Sequence, residues 1–142
     1  CPEVHFVVVG IHEKVMREMR TAIPRNVELI PFIAQGALLD YYQRAAVYCQ
    51  PSYTEGLPNS LCEAMLCECV PVGSNVGGIP TAIAGFGHVV PYGDVQAFVR
   101  AIRLALDAPA GRGSRGREHI ARTFTVDRRE TALRHAVDEA SR

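Results

Sequence analysis

Apolar and polar residues along this chain switch repeatedly between strand-like and helix-like spacing. Val4 to Val9 is a nearly unbroken apolar, β-branched run closed by Gly10. It predicts a strand buried on both faces, the kind found in parallel sheets. From Glu13 to Ile23, Val15, Met16, Met19 and Ile23 fall on one helical stripe, and Pro24 stops it. Val27 to Ile33 predicts a second strand, Leu38 to Ala46 a second helix, and Val47 to Gln50 a short third strand that ends at Pro51-Ser52. A helix is expected from about Leu61 to Leu66, then a strand from Val70 to Gly73. Asn75 to Pro80 is a glycine-rich turn, Thr81 to Ala84 a single helical turn, and His88 to Val90 the last strand. Asp94 can cap a helix running to Leu106. Ala108 to Gly116 reads as a polar break, and Arg117–Thr123 and Asp127–Ala140 as closing helices. Steady strand–helix alternation predicts an α/β fold, a Rossmann-like parallel sheet with helices on both faces.

Composition narrows the classes. At 142 residues the chain has the size of a single domain, 1–142, with one core. Fifteen acids balance fifteen bases, so no field of one sign draws it to nucleic acid or to an anionic membrane. The bases cluster late, between Arg112 and Arg134, as expected of a solvated helical face. The longest apolar runs are too short to span a bilayer, and no secretory signal opens the chain. A first residue of Cys1 rather than Met reads as a fragment of a longer protein. Five cysteines, an odd number in mostly apolar settings, fit a reduced cytoplasmic protein better than a disulfide framework.

Chemistry concentrates in Pro51 to Pro80. Glu55 and Glu63 lie eight residues apart around a Gly-Leu-Pro-Asn-Ser turn, the first in a loop and the second one turn into a helix. Two carboxylates with a helix N-terminus between them suit a ligand with both hydroxyls and phosphate, that is, a sugar phosphate or nucleotide sugar. Three loops leave strand ends with unusual composition: Gly10-Ile11-His12, Ser52 to Ser60, and Ser74 to Pro80. In parallel sheets such loops open on one edge, where ligands bind. Structural readings stand beside these. Ser60-Leu61-Cys62-Glu63 also spells a capping box, and Gly77-Gly78 a simple turn. Cys62, Cys67 and Cys69 lack the second CxxC or His pair that would complete a tetrahedral metal set. No nucleophile elbow, zinc-protease helix or P-loop is present.

The central block resembles the signature of the GT-B glycosyltransferases of family 4, the group 1 glycosyltransferases. Their C-terminal, donor-binding domain carries PS-x-x-EG followed by an EAM, here Pro51, Ser52, Glu55, Gly56, Glu63, Ala64 and Met65, then Pro71-Val72 and Gly77-Gly78-Ile79-Pro80. Val27 to Val47 and Gly87 to Asp94 are similar to the family's flanking elements. Glu68 and Pro31 stand where the family usually or often has glycine, and Thr81 where it usually has an acid.

The resemblance implies a retaining enzyme that transfers a sugar from a nucleotide-diphosphate sugar to an unknown acceptor, without a metal or other cofactor. It implies that Glu55 is the catalytic residue, holding hydroxyls of the transferred sugar close to the reacting carbon. Glu63 would accept hydrogen bonds from the ribose. Gly56, Leu57, Pro58, Asn59 and Ser60 would offer amides to the sugar and diphosphate, Phe32 and Ile33 would meet the base, and Gly10 would line the donor site. The family's domain begins one strand and one helix earlier, in a unit that carries an Arg and a Lys for the diphosphate. An N-terminal acceptor-binding domain precedes that and can bring peripheral membrane association. The isolated chain is therefore expected to be inactive. The absent first strand would lie mid-sheet, so the Val4–Val9 and Val47–Gln50 strands should close up or be separated by another chain's strand. A GT-B-like nucleotide-sugar epimerase and a non-catalytic sugar-nucleotide-binding module are the alternative readings.

Overall fold

A computed structural model of the chain describes residues 1–19 and 21–140. The chain divides into two compact units, Cys1–Tyr41 and Tyr42–Arg142. The first contains β1 (Phe6–Val9), α1 (Glu13–Met19) and β2 (Val27–Ile30), and α2 (Gln35–Arg44) runs across the division. β1 and β2 pair in parallel, with Phe6 opposite Val27 and Val9 opposite Ile30. The Asn26 side-chain amide donates to the carbonyls of Cys1 and Val4 and ties the opening segment to this pair.

Three expectations for this unit need correction. The first strand starts at Phe6 rather than Val4, and Val7 and Val8 are each 39% exposed, not buried on both faces. A two-stranded sheet has too little partner surface to bury both faces of a valine strand. α1 does not run on to Ile23, since the amides of Ala22 and Ile23 both turn back to the Met19 carbonyl. The residue before Pro24 is disfavoured from helix in any case. β2 ends at Ile30, so Phe32 and Ile33 sit in the loop that follows, Phe32 almost fully exposed.

The second unit holds β3 (Val47–Gln50), α3 (Asn59–Leu66), β4 (Val70–Ser74), α4 (Ile79–Ile83), β5 (His88–Val90), α5 (Val95–Leu106), α6 (Arg112–Thr123) and α7 (Val126–Ala140). Its three strands form a parallel sheet in the order β3-β4-β5. Among the described residues β1 pairs only with β2, and β3 only with β4. Among the described residues the expected single sheet is therefore two, one in each unit.

All the buried apolar residues of the core belong to the second unit. Leu61 and Met65 from α3, Ile79, Ala82 and Ile83 from α4, and Ile120 from α6 make one cluster. Each fully buried Leu, Ile or Met there contributes about 1.5–3 kcal/mol. α5 packs on the three strands through a separate stripe of Ala101, Ile102 and Ala105. Asp94 caps it as anticipated, its carboxylate accepting from the Ala97 amide at 2.8 Å.

α6 begins at Arg112, inside the stretch expected to be a loop. Tertiary packing overrides the poor helix propensity of its glycines. At Gly113 a Cβ would land on the Glu68 carbonyl, and Gly116 is buried against Met65 and Phe86. Arg112 is not a solvated base, since its guanidinium donates to the carbonyls of Gly85, Phe86 and Gly87 at 3.1–3.3 Å. α7 does match a solvated face. None of its residues is buried, and Arg134 pairs with Glu130 one turn away.

Candidate functional site

In the parallel sheet of the second unit, β3 and β4 deliver their following loops to one edge. The loop after β3 carries Glu55 to Pro58, and α3 starts at once with Asn59 and Ser60. Its N-cap is Pro58, which has no side chain to accept from the first-turn amides. Ser60 is thus not the N-cap from which a capping box would start. The helix begins one residue before Ser60, and the Ser60 hydroxyl reaches Gln50 Oε1 instead, at 3.4 Å. Glu63 lies one turn further along, partly buried.

Glu55 is held from below by a polar network. Its Oε1 accepts from Gln50 Nε2 at 3.0 Å and from Ser52 Oγ at 2.9 Å. Gln50 Nε2 also donates to Ser52 Oγ at 2.8 Å, while Tyr48 donates to Gln50 Oε1 at 2.7 Å. Burial pushes the Tyr48 hydroxyl up from its ordinary range, so it stays a donor. Ser74, fully buried at the end of β4, bonds to the carbonyls of Ser52 at 2.5 Å and Gln50 at 3.3 Å. That hydroxyl pins the start of the Glu55 loop to the neighbouring strand.

Gly77 and Gly78 turn out to brace the same loop. Gly77 has φ +51°, and a Cβ there would coincide with the Glu55 carbonyl. The Gly78 amide donates to the Gly56 carbonyl at 2.6 Å. So this amide is committed to the protein, and the glycines' first task is close backbone contact. Across the same edge, the exposed rings of Tyr53 and Tyr92 meet edge to face at 5.1 Å, joining the loops after β3 and β5.

The structure thus brings together Glu55, Gly56, Leu57, Pro58, Asn59, Ser60 and Glu63. Gly10, Phe32 and Ile33 belong to the first unit. A groove of about 500 Å³ lined by Met16, Ile23, Val27 and Leu29 also belongs there and includes none of the candidate residues. Tyr48, Gln50 and Ser74 escaped the sequence reading. Their signal was polar groups at alternate positions of a short strand and at the end of an apolar one. Among the described residues no three His, Cys, Asp or Glu side chains gather as a metal set, and no helix is long and apolar enough to cross a membrane. Burial raises the thiols of Cys49 to about 11 and Cys69 to about 12, which keeps both neutral.

The sequence profile described as "Glycosyl transferases group 1" matches residues 1–108. The chain belongs to this family. It is 33% identical over 108 residues to D-inositol 3-phosphate glycosyltransferase 2 of Catenulispora acidiphila, covering 72% of this chain and 25% of that protein. It is 32% identical over 100 residues to the D-inositol 3-phosphate glycosyltransferase of Streptomyces avermitilis, covering 69% of this chain and 22% of that one. The chain thus spans about a quarter of the length of these relatives. Among solved structures it is similar to sucrose-phosphate synthase from Thermosynechococcus elongatus, with TM-score 0.77 and 25% identity over 94% of this chain and 38% of that one. The catalytic domain of starch synthase IV from Arabidopsis thaliana, solved with ADP and acarbose, shares the fold. There the TM-score is 0.68, with 18% identity over 97% of this chain and 33% of the other. The fold of this group 1 glycosyltransferase chain is of the GT-B type.

Proposed function

We propose that this chain is the donor-binding part of a retaining, family 4 glycosyltransferase that uses a nucleotide-diphosphate sugar. The observation that carries the reading is the anchoring of Glu55 through one oxygen, Oε1, beside the uncapped start of α3. In this reading Oε2 takes hydroxyls of the transferred sugar. The amides from Gly56 to Ser60 and the positive end of the α3 dipole meet the diphosphate, where charge grows as the sugar leaves. Glu63 accepts from the ribose. Phe32 and Ile33, with Gly10, keep the base- and donor-contacting roles that the family resemblance implies. The chemistry asks for no metal, since leaving-group charge is met by dipoles and by basic side chains elsewhere in the protein. An acceptor-binding domain completes the enzyme, which works in the cytoplasm and associates with membranes, if at all, through that domain.

The test is a titration of the complete protein with UDP-, GDP- and ADP-sugars, comparing wild type with Glu55→Gln and Glu63→Gln. A hydrogen bond to a charged group is worth about 1.5–3 kcal/mol, or roughly 10- to 150-fold. Glu55→Gln should lower turnover by that factor, and Glu63→Gln should weaken nucleotide affinity. If both variants bind and turn over donor as wild type does, the two glutamates are structural and the site is misassigned.

A further inference from the structure

We propose that Gln50 is the positioning residue for Glu55, fixing which carboxylate oxygen is anchored and which is presented to the donor sugar. The proposal rests on the reading of Glu55 given above and goes beyond it, because it assigns a role to a strand residue that meets no substrate.

The argument runs through hydrogen-bond direction. A carboxylate accepts and never donates, so the nitrogen of the Gln50 amide must face Glu55. Its oxygen then faces Tyr48, which must be the donor, and the burial of Tyr48 keeps that proton in place. All four hydrogen-bonding places of the amide are thereby filled. Nε2 donates to Glu55 Oε1 at 3.0 Å and Ser52 Oγ at 2.8 Å, while Oε1 accepts from Tyr48 at 2.7 Å and Ser60 at 3.4 Å. The amide cannot rotate or flip without breaking bonds at both ends.

Tyr48 and Gln50 stand two residues apart on β3 and so share one face of the sheet. Tyr48 packs against the core cluster of α3, α4 and α6. Gln50 is the link between that packed ring and the loop acid. The path from the core to Glu55 is Tyr48, Gln50, Glu55, with Ser52 and Ser60 bracing the middle member. An apolar residue at position 50 would leave both the Tyr48 hydroxyl and Glu55 Oε1 short of a partner. Glu55 would then be held by the Ser52 hydroxyl alone and could swing about that single bond, and a displacement of about 1 Å at a reacting centre costs on the order of a hundredfold in rate.

The experiment measures release of nucleoside diphosphate from UDP-, GDP- and ADP-glucose by the complete protein, for wild type, Glu55→Gln, Gln50→Met and Gln50→Glu. Gln50→Met keeps the volume and removes every hydrogen bond. Its kcat should fall roughly 10- to 100-fold while donor KM stays within about threefold, a split that a general loss of folding would not produce. Gln50→Glu places two carboxyl groups together, which share one proton. It can donate to Glu55 only while that proton is bound. Its turnover should therefore recover as pH is lowered from about 8 towards 5.5, while Gln50→Met stays flat across that range.

If Glu55→Gln slows turnover but Gln50→Met retains wild-type kcat, the positioning role is overturned while the Glu55 assignment stands. If Gln50→Glu shows no recovery at low pH, the role is overturned as well, and this arm decides should Gln50→Met fold poorly. Full activity in Glu55→Gln instead removes the site reading itself, and the two failures are told apart.

Discussion

Replacing Gly77 with alanine tests whether the Glu55 loop is held by backbone contact. Two separate penalties meet at this residue. Its φ of +51° is a left-handed conformation, which costs an alanine about 1–2 kcal/mol. Its Cβ would also fall on the Glu55 carbonyl and within 2.8 Å of the carbonyl carbon. Forcing extra volume into such a contact costs about 1–3 kcal/mol. Two neighbours separate the terms. Gly93 has φ +80° with nothing within 4 Å, so Gly93→Ala carries the backbone cost alone. Gly78 has φ −83° but its Cβ would lie 2.7 Å from the Gly56 carbonyl oxygen, so Gly78→Ala carries the steric cost alone. The expected losses are about 1 kcal/mol for Gly93→Ala, about 2 for Gly78→Ala and about 3 for Gly77→Ala. For a unit of this size the last corresponds to a fall in Tm of roughly 10–20 °C. Urea unfolding followed by far-UV circular dichroism and tyrosine fluorescence measures all three, since the chain has five tyrosines and no tryptophan. A Gly77→Ala loss no larger than that of Gly93→Ala would mean that the two loops part freely, and the clamp on Glu55 would have to be abandoned.

Glu68 follows the C-cap of α3 with φ +69°, a position that suits glycine. Glu68→Gly should stabilise the protein by about 0.5–1 kcal/mol, because the relief of left-handed strain exceeds the loss of an exposed ion pair with Arg117. A lower Tm in thermal denaturation would contradict this. His88 has a buried Nε2 without a hydrogen-bond partner, and its pKa is lowered, first by burial and then by Arg112. The unfolded chain therefore binds the proton more readily, and the stability linked to neutral His88 is full above about pH 6.5 and is lost as pH falls through the depressed folded value. His88→Gln should flatten the stability–pH curve on the acid side of neutrality, and an unchanged slope in urea titrations between about pH 7 and 5 would refute the assignment.

Most elements of the second unit were legible from residue spacing. Val47–Gln50 and His88–Val90 end where the pattern places them, and Asp94 caps α5 as its position suggests. These features depend on local periodicity and capping, which neighbours in sequence determine. The block from Pro51 to Pro80 likewise pointed to the group 1 glycosyltransferases, because its spacing is specific. Less legible were features set by partners far along the chain. Arg112 to Gly116 looked like a loop until α6 was seen packing its glycines against Glu68 and Met65. Val7 and Val8 looked like a doubly buried strand, yet their sheet has only two strands.

The candidate site divides along the same line. Sequence alone determined that Glu55 and Glu63 flank a loop and a helix start, since eight residues and a proline-containing turn allow little else. Only the tertiary structure decided how Glu55 is held. The Gly77-Gly78 turn meets its backbone from twenty-two residues away, and Ser74 ties its loop to a neighbouring strand. Gln50 reaches its carboxylate only because the chain folds back after β3. Hydrogen bonds and close contacts act through space, so residues that look unremarkable in sequence can set the orientation of the one that matters.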